Sequence, residues 1–138
     1  MKTTAAFRNL ISWLKTTELF FNPDRFLPGR WVLYEYYSEP GKELIHVQEK
    51  ELLEEKQTWT IEFTSDKKFD CKTNLPVHFI SGITTGIWKR SKNFISFIDS
   101  LNPTHTLEFQ FAFEKENLKL LKKDAQGKIE IFGFLRKS

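Results

Sequence analysis

Cysteine is nearly absent: Cys71 is the only one in 138 residues, so no intrachain disulfide can form and the fold must stand on its core alone. Glycine (6) and proline (5) are scarce too, which removes collagen-like and low-complexity architectures. No apolar run approaches the roughly 20 residues that a membrane-spanning helix needs, and charged residues make up 28% of the chain. Neither sign of charge dominates. The balance of 21 Lys+Arg against 18 Asp+Glu is +3, a field too weak and dispersed to argue for a nucleic-acid partner. What is abundant is aromatic: 14 Phe, 4 Trp and 3 Tyr against 1 Met. A chain of this length with 40% hydrophobic residues builds one core, and so many rings ask for a large internal surface.

The first residues lack the unbroken apolar stretch of a secretory signal, because Arg8 and Asn9 interrupt it. No cysteine lies near them to accept a lipid, so the expectation is a cytoplasmic protein. Phe7, Leu10, Ile11, Leu14 and Phe21 then recur at helical spacing, which predicts an amphipathic helix over residues 5–21. Thr3 or Thr4 caps its start, and Asn22-Pro23 ends it, since proline disfavours helix in the residue before it. Lys2, Arg8 and Lys15 are too few for a membrane-surface helix. The stripe is therefore expected to cover one mouth of the protein's own core, with residues 1–27 as helix and linker and 28–138 as the β part of a single domain.

After Pro28-Gly29 the hydrophobic period changes from 3.6 to 2. Thr58–Thr64 and Thr106–Glu114 alternate polar and apolar without error, the pattern of antiparallel strands with one buried face. Arg30–Tyr37, Lys68–Lys72, Thr84–Arg90, Phe94–Asp99, Leu118–Lys123 and Lys128–Arg136 are further strands. Short turn signals such as Asp66-Lys67, Ser91-Lys92-Asn93 and Lys115-Glu116-Asn117 join neighbours as hairpins, with no room for crossover helices. Glu43–Lys56 reads as a strand, a short helix or both, and Leu75–Gly82 as an irregular loop. About eight hairpin-linked strands, none of them built as a protected edge, predict a mainly β protein: an antiparallel up-and-down barrel, which removes edges altogether.

The first strand opens on Gly29-x-Trp31 and the last ends on Gly133-Phe134-Leu135-Arg136. This pairing resembles the calycin pattern of lipocalins and fatty-acid-binding proteins. Trp59–Phe63 followed by Asp66 and Phe69, then Gly86-Ile87-Trp88 and Leu118-x-Leu120, is similar to the small bacterial lipocalin-like domains over roughly residues 28–136. The resemblance implies a structural latch of Gly29, Trp31 and Arg136, with the tryptophan filling the closed end and the arginine packed across its indole. Such a stack is worth about 0.5–2 kcal/mol. Neither the family's usual secretory leader nor its disulfide is expected here, Cys71 being the only cysteine.

Chemistry has thin support. His46, His78 and His105 have no His or Cys neighbour at metal-ligand spacing, so no metal and no cofactor is expected. No nucleophile elbow or phosphate-binding loop is present, and Cys71 beside Lys72 reads as a structural thiol before a reactive one. The aromatics stand out instead. Trp59, Phe63, Phe97, Phe109 and Phe111 fall on the apolar faces of their strands, and an eight-stranded barrel is just wide enough to hold a small ligand. These five, with Tyr34, are the candidate ligand-binding residues. The expected pocket opens opposite the helix plug, takes lid material from Glu43–Lys56 and Leu75–Gly82, and draws a polar anchor from Tyr34, Tyr36 or Arg90. The expected function is non-catalytic binding of a small hydrophobic or amphipathic molecule. The alternatives are a filled barrel acting as a protein-interaction module, alone or as a homodimer, and an enzyme on the same scaffold.

Overall fold

A computed structural model describes residues 22–77 and 82–138. A short helix α1 (Pro23–Phe26) leads into β1 (Gly29–Ser38), then β2 (Ile45–Val47), helix α2 (Glu49–Glu54), β3 (Trp59–Phe63) and β4 (Lys68–Thr73). After the loop come β5 (Thr85–Ser91), β6 (Phe94–Asp99), β7 (Thr106–Glu114), β8 (Asn117–Lys123) and β9 (Ile129–Lys137). All pairings are antiparallel and follow chain order from β3 to β9. β1 closes the ring by pairing with both β3 and β9. Eight strands thus make a closed barrel, as their alternation required. The segment Glu43–Lys56 becomes both a strand and a helix. The helix expected over residues 5–21 lies outside the described residues.

β1 does the work of closure, and its two halves have different neighbours. One edge pairs with β9 along Trp31–Tyr37; the other pairs with β3 through Gly29–Val32 and with β2 through Tyr36–Ser38. A bulge leaves Tyr34 as the extra residue between Leu33 and Glu35. It shifts the inward phase, so that Trp31, Leu33 and then Tyr36 are the buried positions. At the start of β1, Gly29 has φ +136° with the Lys137 side chain lying over it, a backbone state and a closeness that only glycine accepts freely. At Gly86 a Cβ would stand 1.8 Å from the Ile98 carbonyl oxygen, so β5 approaches β6 there through bare backbone.

The interior is packed with rings. Trp59 lies 5.8 Å from Phe109, Phe109 5.4 Å from Phe97, and Phe97 5.7 Å from Phe63 and 5.0 Å from Phe69. Such tilted pairs add to plain area burial. A second apolar cluster sits on the other face of β7, β8 and β9. Ala112, Leu121, Phe132 and Phe134 alternate with the inward residues, and Tyr34, Tyr37 and Leu44 pack against them.

Candidate functional site

One end of the barrel is shut by its own side chains. Trp31 is fully buried and donates its indole N–H to the Leu27 carbonyl at 2.8 Å. Phe26 meets Phe113 edge to face at 4.9 Å. Lys137 Nζ donates to the Phe26 carbonyl at 2.9 Å and stands 5.3 Å from the Trp31 ring centre. The latch therefore joins the first and last strands as expected, but its cation is Lys137 and not Arg136. Register gives the reason. Trp31 pairs with Lys137 and Val32 with Arg136; directly opposed residues share a face, so Arg136 belongs to the outside. It lies 4.1 Å over the Tyr34 ring and pairs with Glu49 at 3.2 Å.

The other end is open. Where β1 runs past β2 and the β8–β9 turn, a cavity of about 540 Å³ is bounded by Tyr36, Ile45, Pro76, Val77 and Ile129 on its apolar side. Ser38, Glu39, Asp124 and Glu130 supply its polar side. The polar rim is held in place by the chain itself. Glu39 Oε1 accepts from the Ile129 amide at 2.9 Å, Asp124 Oδ1 accepts from the Gln126 and Lys128 amides at 2.9 Å each, and Glu130 pairs with Lys122 at 3.3 Å. Burial, followed by the Glu51 charge, raises the pKa of Tyr36, so its phenol stays protonated at neutral pH and is available as a donor.

The sequence placed the ligand deeper than this. None of Trp59, Phe63, Phe97, Phe109 or Phe111 lines the mouth cavity. They are at most 2% exposed and fill the interior against one another. Tyr34 is also displaced: next to the inward Leu33 it falls on the outer face, where Asn117 Nδ2 donates to its hydroxyl at 3.3 Å. Of the three proposed anchors only Tyr36 reaches the cavity; Arg90 is bound to Asp24 at 2.9 Å. The lid segments were better placed, because Ile45, Pro76 and Val77 come from them. Ser38, Glu39, Asp124, Ile129 and Glu130 were missed. Their signal was positional only: Pro40-Gly41 and Ala125-Gln126-Gly127 are turns, and both fall at the same end of an up-and-down barrel.

Reactive chemistry is sparse in the described residues. His46 Nε2 lies 2.7 Å from Glu35 Oε2 and its ring stacks on Tyr37 at 4.2 Å, tying β2 to β1. His105 lies 3.6 Å from Asp99, and His78 is outside the described residues. No group of three potential metal ligands occurs among the described residues. The Cys71 thiol accepts from the Trp59 indole N–H at 3.1 Å, and burial pushes its pKa up to about 11. Desolvation outweighs any help from Lys72, so the sulfur is a protonated core group. No helix among the described residues is long and apolar enough to cross a membrane.

Eight antiparallel strands in chain order, closed first to last over a buried tryptophan, make this a lipocalin-like barrel. No family model matches the chain, and no curated protein matches it. Among solved structures, a lipocalin-like protein from Bacteroides uniformis is similar at a TM-score of 0.48 and 19% identity, over 82% of this chain and 99% of that one.

Proposed function

We propose that the protein is a non-catalytic binder of a small hydrophobic or amphipathic molecule, held at the barrel mouth and not in the interior. The observation that carries this reading is the cavity of about 540 Å³ with apolar walls and a few fixed polar groups, the usual composition of a small-molecule site. A ligand losing about 300 Å² of apolar area there gains about 7 kcal/mol at about 25 cal/mol/Å². Association costs at least about 4 kcal/mol of this, which leaves millimolar binding. A hydrogen bond from Tyr36 adds about 1 kcal/mol and moves the affinity towards high micromolar. The direct test titrates fatty acids and apolar dyes against the protein and against Val77→Trp, which fills the cavity. Saturable binding that the filled variant loses supports the proposal. No binding by the parent, or equal binding by the variant, overturns it.

A filled barrel acting as an interaction module, alone or as a homodimer, is the second reading. The ring-packed interior favours it. Silence in the ligand titration together with a dimer in light scattering would select it.

A further inference from the structure

The chain as a whole is basic, at +3, yet the mouth cavity has the opposite sign. Among the described residues that line it, Glu39, Asp124 and Glu130 are acidic and none is Lys or Arg. All three acidic side chains are half-buried, whereas Lys123 and Lys128 on the adjoining turn are exposed. Lys122 offsets one of the three by pairing with Glu130 at 3.3 Å. The Lys128 amine is engaged elsewhere, donating to the Gly41 carbonyl at 3.0 Å. Among the described residues no cation pairs with Glu39 or Asp124. Each of these two has one oxygen fixed by backbone amides: Glu39 Oε1 by Ile129, and Asp124 Oδ1 by Gln126 and Lys128. Their other oxygens accept no hydrogen bond from a described residue. The two carboxylates are thus oriented in advance, which lowers the ordering cost when a ligand donates to them. A metal ion does not suit the arrangement, since no group of three potential ligands gathers among the described residues.

We propose that the ligand of this mouth is an amphipathic cation, by chemistry a primary alkylammonium. Its tail lies against Tyr36, Ile45, Val77 and Ile129, and its ammonium donates to Glu39 and Asp124. The inference rests on the mouth being the binding site, and it adds the sign of the ligand's head group. An ammonium supplies three donors and here meets half-buried carboxylates, which salt screens less than an open surface. The Tyr36 hydroxyl accepts as well as donates, so it does not oppose the cation. A fatty acid would bring a further carboxylate to the same place, and like charge would disfavour it.

Three ligands on one eight-carbon skeleton separate the head groups: octylammonium, octan-1-ol and octanoate. Each is titrated at pH 7 into the whole nitrogen-15-labelled chain, and the amide resonances of Ile45, Val77 and Ile129 report occupancy of the mouth. We expect octylammonium to bind about tenfold more tightly than octanol, as one charge-assisted hydrogen bond allows, and octanoate to bind most weakly. Glu39→Gln/Asp124→Asn keeps an acceptor oxygen for each backbone amide, and in it the preference for octylammonium over octanol should fall to about twofold. Equal affinities for the three ligands, or octanoate ahead, overturn the inference and leave the mouth as the site. If no ligand shifts any of the three resonances, the inference and the mouth site both fall. A preference that survives the double substitution overturns the inference too, because it then has another source. Should the double variant not fold, salt decides on the parent. Raising sodium chloride from about 20 mM to about 500 mM should weaken octylammonium binding about threefold and leave octanol nearly unchanged. An equal response of the two ligands overturns the proposal.

Discussion

The two ends of the barrel are built from the same strand and reach opposite outcomes. At the closed end β1 contributes Trp31, whose indole N–H, ring faces and nearby carbonyls are taken up by Leu27, Phe113 and Lys137. Five residues further on it contributes Tyr36, beyond the Tyr34 bulge, where β3 has left its edge and the short β2 has replaced it. The strand has changed neighbours, and space opens between Tyr36, Ile45 and Val77. One end spends its side chains on holding the barrel together. The other leaves space between them.

The largest expected effect tests that division. Trp31→Ala removes a fully buried ring from a site that cannot collapse and should cost about 3–5 kcal/mol. Val77→Ala, at the half-buried wall of the mouth, should cost less than about 1 kcal/mol. Guanidinium denaturation of both variants measures the contrast. Equal losses, or the reverse order, would break the comparison.

A smaller effect sharpens the assignment of the latch. Lys137→Ala loses a hydrogen bond to the Phe26 carbonyl and a cation over two rings, and should cost about 1–2 kcal/mol. Arg136→Ala loses an exposed ion pair and its contact with Tyr34, worth less than about 1 kcal/mol. Thermal melts of the two variants should therefore rank Lys137 above Arg136. The opposite ranking would restore the arginine latch.

Lys119, on the outer wall, provides a pH-dependent test. Burial brings its pKa down to about 8 from 10.5, although Glu114 beside it pulls the other way. Between those two values the unfolded chain binds more protons than the folded one, so this group makes stability rise with pH across that window. Below it the amine is charged in both states and the cost of burial is full. Lys119→Met should consequently be more stable than the parent by about 1 kcal/mol at pH 7, with the gap closing as the pH climbs towards 10. A gap that stays constant with pH would show that packing, and not charge, separates the two proteins.

The barrel was legible because alternation survives wherever one face is wet: Trp59, Ile61 and Phe63, and Leu107, Phe109, Phe111 and Phe113, fall inside as the pattern required. Closure was legible as well, but the identity of the latch was not. A slip of one residue in register moves a side chain to the other face, and nothing in the sequence says whether Trp31 stands opposite residue 136 or 137. The bulge at Tyr34 has the same effect on β1, bringing inside Tyr36, which unbroken alternation from Trp31 and Leu33 would leave outside. Ile131–Leu135 is apolar on both faces, so its pattern could not separate the interior from the outer wall. The mouth was hardest to read. Its residues come from turns and strand ends whose chemistry is ordinary until the fold gathers them.

The smallest effect concerns how each end turns the chain. At the closed end the β7–β8 hairpin places Lys115 at φ 49° and Glu116 at φ 69° between the paired Glu114 and Asn117. Two left-handed residues in a two-residue loop form a type I′ turn, which favours Asn-Gly. Side chains with a full Cβ are strained there. At the mouth the β8–β9 turn instead has Gly127 at φ 85°, with open space where a Cβ would stand. Lys115→Asn/Glu116→Gly should accordingly stabilise the protein by about 1 kcal/mol, raising the melting temperature by about 3–5 °C. Gly127→Ala should lose a similar amount through backbone conformation alone, since nothing crowds it. If both changes were neutral, the two ends would not differ in local strain, and their contrast would rest on side-chain packing only.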